Sequence, residues 1–125
     1  MRIKIVIGSL VVFANLNASQ TAELIWEHLP LSSTAELWGE EIYFYIKPKI
    51  GLETEYAREA VEVGDIAYWP SGPCMCLFFG PTPISRDGKI TPASAVNVFG
   101  KIEGDPGVLA RVKDGKVITV TRDTA

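Results

Sequence analysis

Hydrophobic and polar positions alternate from the first residues. Ile3, Ile5 and Ile7 are interleaved with Arg2, Lys4 and Val6, the period of two expected of a strand with one buried face. A second apolar run, Leu10 to Leu16, follows Gly8-Ser9, so the chain opens on a hairpin. The period then changes. Ala22, Ile25, Trp26 and Leu29 fall at i, i+3, i+4 and i+7, one stripe of a helix near residues 19–29 whose face is expected to be fully buried, Trp26 included. Asn17 to Ser19 offers capping oxygens at its start, and Pro30 ends it by removing a donor and biasing Leu29 out of the helical region. Alternation resumes in two further strands, Thr34 to Trp38 and Ile42 to Lys47, separated by Gly39-Glu40-Glu41. In the second of these, Ile42, Phe44 and Ile46 share one face, and Tyr43, Tyr45 and Lys47 share the other.

Pro48 to Tyr56 reads as a loop and Ala57 to Val61 as a short strand. Mid-sequence the alternation gives way to continuous apolar runs, Ile66 to Trp69 and Cys74 to Phe79, joined by Pro-Ser-Gly-Pro. Short runs bounded by Gly and Pro and rich in aromatics read as buried strands around a turn. Pro81 to Pro92 is a turn-rich crossing that contains Arg86-Asp87-Gly88-Lys89. Val96 to Ile102 is another strand, Asp105-Pro106 opens a short helical turn, and Asp114-Gly115 leads into a last strand, Val117 to Thr121. About eight strands at short spacing with one good helix predict a mainly β protein: a closed antiparallel eight-stranded barrel with one main helix and a short second helical turn. Closure removes edges that strands this apolar could not leave open. The whole chain, 1–125, reads as one domain.

Composition adds exclusions. A hydrophobic content of 47% and a charged content of 22% are ordinary for a globular chain. The net charge of -3, with Lys and Arg scattered singly, speaks against a nucleic-acid surface. Arg2 and Lys4 before an apolar stretch resemble a secretory signal, but Gly8-Ser9 interrupts the run and the alternation favours a hairpin. No stretch reaches the ~18 apolar residues of a membrane helix. Cys74 and Cys76 lie one residue apart in an apolar strand and read as small fillers; with His28 the lone histidine, no metal site is expected, and no cofactor. The expected compartment is a reducing cytoplasm.

Several runs carry a resemblance. Val98-Phe99-Gly100-Lys101-Ile102 is close to the Val-Phe-Gly-Lys-Val run of cyclophilins. Glu62 to Pro70, Phe78 to Pro83, Leu37 to Phe44 and Val96 to Val98 resemble the small prokaryotic cyclophilin-like family over essentially the whole chain. The resemblance implies a barrel of cyclophilin topology. Cyclophilins isomerise prolyl bonds with an arginine on the strand after the first helix, whose guanidinium bonds the prolyl nitrogen as the amide loses resonance. Here that segment is Ala35-Glu36-Leu37-Trp38, and an acid cannot donate such a bond. The tryptophan and histidine of the cyclophilin proline pocket have no counterpart between Ile90 and Asn97; an aromatic at Phe78 or Phe79 is all that matches.

Trp38, Tyr43, Tyr45, Tyr68 and Trp69 could line a groove, or instead cap the barrel or bury a homodimer interface. The candidate ligand-binding groove comprises Glu41, Tyr43, Tyr45, Trp69, Phe79, Thr82 and Asn97, with Thr82 on a proline-stiffened rim. Glu36, Glu40 and Glu41 could supply a base or a cation-binding edge, or simply solvate a turn. For Asn97 a structural clamp to a neighbouring loop is the favoured alternative to a pocket contact, because a buried amide needs partners. The reading these residues support is a binding module for a peptide, a small molecule or a partner protein, without the isomerase arginine. The alternative is an enzyme, either a residual prolyl isomerase or an unrelated activity in the same groove.

Overall fold

A computed structural model describes residues 1–124. The opening hairpin forms as the alternation predicts: β1 (Arg2–Ile7) pairs antiparallel with β2 (Leu10–Leu16), with Ile3, Ile5 and Ile7 buried and the residues between them half-exposed. α1 (Gln20–Glu27) follows, and the Ser19 hydroxyl accepts a hydrogen bond from Ala22 N at 3.1 Å. The remaining strands are β3 (Leu31–Thr34), β4 (Glu36–Trp38), β5 (Glu41–Tyr45), β6 (Ala57–Arg58), β7 (Asp65–Trp69), β8 (Cys74–Phe78), β9 (Val96–Ile102) and β10 (Val117–Arg122). A 3-10 turn, Pro106–Arg111, precedes β10 with Asp105 as its cap.

The sheet runs β3-β10-β1-β2-β9-β7-β8-β5-β4, with antiparallel pairing throughout. Its two ends are consecutive in sequence, because β3 and β4 are separated by Ala35 alone. Ala35 keeps both main-chain bonds, donating to Lys116 O at 2.8 Å and accepting from Gly115 N at 2.9 Å. One bent segment therefore pairs with β10 through its first half and with β5 through its second, which brings the sheet round into a nearly closed barrel. Ser33 Oγ bridges the seam by donating to Tyr45 O at 2.8 Å. Ten segments stand where about eight strands were expected: the bend divides one strand in two, and of the short strand expected over Ala57 to Val61 the two residues of β6 pair with β9. The first half, Leu31 to Thr34, was not anticipated because Ser32, Ser33 and Thr34 carry turn-like polarity rather than alternation.

Inside the barrel lie the isoleucines of β1, Ile42 and Phe44 of β5, Ile66 and Tyr68 of β7, Met75 and Leu77 of β8, and Phe99 of β9. Ala22 and Ile25 of α1 join this core near Arg122, and Leu109 and Val112 of the 3-10 region join it from the Ile7 side, so the two helical pieces cover opposite ends. A second apolar cluster covers the outside of β7, β8 and β9. It contains Ala67, Cys74, Cys76, Phe78 and Val96, with Val61 and Ile90 laid over it. Strands β7 and β8 are thus buried on both faces, which is why they read as unbroken apolar runs.

Trp26 departs from expectation. It is only partly buried, at the rim of α1, where the Arg122 guanidinium lies 5.0 Å from its ring centroid and donates to its carbonyl. Full burial would make Trp26→Ala cost about 3–5 kcal/mol. With the side chain only partly buried and a cation–π contact to lose, a loss of about 2 kcal/mol in urea unfolding is expected instead.

Candidate functional site

Strand register decides which side chains meet on the outer face. Trp38 of β4 is opposite Glu41 of β5, Glu36 is opposite Tyr43, and Tyr43 is opposite Cys76 of β8. Trp69 at the end of β7 is opposite Cys74. Of these, Trp38, Glu41, Tyr43, Trp69 and Cys76 border a cavity of about 220 Å³. Trp38, Tyr43, Tyr45 and Trp69 form its aromatic walls, Glu41, Cys76 and Val96 complete the lining on the strands, and Pro92 and Ala93 from the crossing before β9 close one side. Larger depressions exist, among them one of about 580 Å³ near His28 and Lys47, but none of them is lined by a buried polar atom without a partner.

The walls are fixed by local contacts. Trp69 Nε1 donates to Ser94 Oγ at 2.6 Å, which ties the ring to the crossing. Gly72 lies under that ring: a Cβ there would come within 2.7 Å of Trp69, so the turn has room only for hydrogen. Tyr43 and Tyr45 meet edge to face with centroids 6.3 Å apart, and Tyr43 OH donates to Glu36 at 3.4 Å. Thr82, Ser85 and Thr91 knot the crossing together: Thr82 OH donates to Thr91 O, and Ser85 Oγ accepts from both Thr82 N and Thr91 N at 2.9 Å. Gly39, at φ +61°, packs against Pro81 and Thr82, where any Cβ would clash with backbone, so the β4–β5 turn and the rim are seated on each other.

Glu41 is the unusual group. It is only 5% exposed, and its Oε1 has no hydrogen-bond partner. Burial raises its pKa from 4.5 to about 7, against a smaller opposing pull from a hydrogen bond with Cys76. Burial, with Glu41 nearby, also pushes the Cys74 thiol up to about 12 and the Cys76 thiol well above its ordinary range. Both cysteines are free thiols held protonated, which makes them poor nucleophiles. Burial, then the Glu36 charge, raises the Tyr43 phenol. The lining contains no Lys, Arg or His.

Of the seven residues of the expected groove, Glu41, Tyr43, Tyr45 and Trp69 come together here, joined by Trp38, and Phe79, Thr82 and Asn97 lie elsewhere. Phe79 packs on the barrel core. Thr82 serves the rim knot rather than the cavity. Asn97 is fully buried on the opposite face of β9 from Val96. Its Oδ1 accepts from Glu53 N at 2.8 Å, and its Nδ2 donates to Gly51 O at 2.9 Å and Thr21 Oγ1 at 3.1 Å, clamping the loop and α1 onto the barrel. Tyr68 likewise faces the interior, where its hydroxyl donates to Pro48 O at 2.7 Å. Cys76, Pro92, Ala93 and Val96 were not anticipated; the signal for Cys76 was its parity with Cys74 on one face of β8. Among the described residues no cluster of three or more His, Cys, Asp or Glu could hold a metal ion, and no helix is long and apolar enough to cross a membrane.

Two outcomes follow from this geometry. An acid whose folded pKa is raised contributes stability through its bound proton, present below 4.5 and lost as pH rises through about 7. Relative to Glu41→Gln, the wild-type unfolding free energy is expected to fall by up to about 3 kcal/mol across that interval, measured by urea titration at successive pH values. Asn97→Ala should destabilise by about 1–3 kcal/mol through the buried backbone groups it orphans, without altering the cavity.

The cyclophilin-like family profile matches residues 1–121. A hypothetical protein from Archaeoglobus fulgidus, known from its solution structure, superposes with a TM-score of 0.83 at 43% identity, covering 98% of this chain and 95% of that one. No curated protein matches. With a profile match over nearly its full length and a relative of this likeness sharing the barrel, the chain belongs to the cyclophilin-like family.

Proposed function

We propose that this protein is a binding module that takes a side chain of a peptide, or a small molecule, into the outer cavity. The observation that carries the reading is Glu41 Oε1, a buried acceptor without an internal partner on the wall of an aromatic cavity. Buried polar atoms are almost always satisfied, so an orphan on a side chain that lines a cavity suits a partner supplied from outside. The aromatic walls support this, because they provide contact area with few torsions to freeze on binding. The volume, about 220 Å³, falls below the ~300–1,000 Å³ of drug-sized sites, which suits one side chain or a small head group.

Prolyl isomerisation fits the cavity poorly. It needs a donor to the prolyl nitrogen, and the position opposite Tyr43 is occupied by Glu36. No acceleration above background is expected in a protease-coupled isomerase assay. Two free, buried thiols accord with a reducing cytoplasm as the working compartment.

Native mass spectrometry of the freshly purified protein tests the binding role. Trp69→Ala should lose a co-purified molecule, or the ability to take one up, while sedimentation stays unchanged. If Tyr43→Ala and Trp69→Ala instead abolish self-association and leave uptake unaltered, the aromatic patch is an interface between two copies and the binding reading fails.

A further inference from the structure

Taking that reading as its basis, we infer that the ligand group is an alkylammonium cation, seated on Glu41 among the Trp38, Tyr43 and Trp69 rings. Four features of the cavity converge on this chemistry. An ionised carboxylate in a buried site is costly unless a cation or strong donors meet it, and none does so from within the chain. The walls are aromatic, and aromatic rings attract organic cations that are weakly hydrated enough to leave water. With Glu41 in the lining, Glu36 at the rim, and no Lys, Arg or His in the lining, the cavity repels anions and favours positive charge. Glu41 presents one free buried oxygen, Oε1, which matches a single N–H donor better than the two-pronged fork of a guanidinium.

Charge on Glu41 then governs binding. The ionisable groups facing it are Cys76 and Cys74 on β8, Tyr43 and Tyr45 on β5, and Glu36 on β4; Trp69, Val96, Pro92 and Ala93 contribute none. The two thiols and Tyr43 are held protonated, so Glu41 is the buried group that changes charge near pH 7. A cation binds the ionised form, and its affinity should rise as pH increases, by about tenfold between pH 6 and pH 8.

Calorimetric titration of the full chain with N,N-dimethylethanolammonium, which carries a single N–H, and n-butylammonium, against the neutral isostere 3-methylbutan-1-ol, tests the assignment. Both cations should bind at least ~10-fold more tightly than the alcohol. Glu41→Gln should remove that preference and the pH slope while leaving circular dichroism intact and the melting temperature at pH 7 at or above that of the wild type, and Trp69→Ala should weaken the cations without flattening the slope. A short lysine peptide binding markedly more tightly than the free amines would identify a protein side chain as the source, and equal affinities a small amine; either supports the inference. If the alcohol binds as well as the cations, or Glu41→Gln keeps the preference, the cation assignment falls and the binding cavity stands. If no probe binds at millimolar concentration, both fall.

Discussion

A sheet whose two ends are supplied by one segment can close only if that segment bends without losing its hydrogen bonds, and this protein depends on that bend at Ala35. The residue is fully buried and bonded on both sides of its peptide to the turn before β10. Its neighbours on either side then pair with different strands. An open sheet with the same apolar strands would leave two rows of unpaired backbone groups on hydrophobic edges. The bend also has a local result. It lays β4 beside β5, so that Trp38 and Glu36 stand over Glu41 and Tyr43, and without it the outer cavity would lack a wall.

A second constraint acts on the other side of the cavity. Strands β7 and β8 are apolar on both faces, so their outward residues need a cover. The long crossing before β9 provides it, with Ile90 laid on the cluster and Pro92 and Ala93 reaching the cavity. Loops over apolar surface are held by polar knots because their backbone groups must still be satisfied. Thr82, Ser85 and Thr91 serve that purpose, as Asn97 does for the loop on the far face of β9. The polar residues that looked like ligand contacts along the chain are therefore spent on holding the walls of the cavity in place.

Glu41 stands apart from these because its burial is compensated only in part, by a hydrogen bond with Cys76. Two buried side-chain oxygens lack a partner within the chain, Glu41 Oε1 and Glu53 Oε2, and of these two residues Glu41 is the one that lines the cavity. Burial of an acid beside aromatic rings costs stability as the group ionises, and a protein retains such a group most readily where an external ligand repays it. Binding and folding thus place opposite demands on the same carboxyl, a conflict of the kind expected where local consistency is broken for function.

Much of the architecture was legible one residue at a time. The isoleucines of β1, the stripe of α1 with its Ser19 cap and the two faces of β5 follow from periodicity, because periods of 2 and 3.6 are properties of a single segment, and the buried β7–β8 pair follows from its unbroken apolar runs. The same rule separates Tyr68 from Trp69 and Asn97 from Val96, but it does not say which member of each pair faces in. That was decided by register. Only the pairing of Tyr43 with Cys76 and of Trp38 with Glu41 assembled four aromatic rings around one carboxyl, and only the covering loop turned a charged hairpin residue into a buried one. Local sequence specifies which side chains share a face; which faces meet, and hence which polar group is stripped of water, depends on contacts between residues far apart in the chain, and these exist only once the barrel has closed.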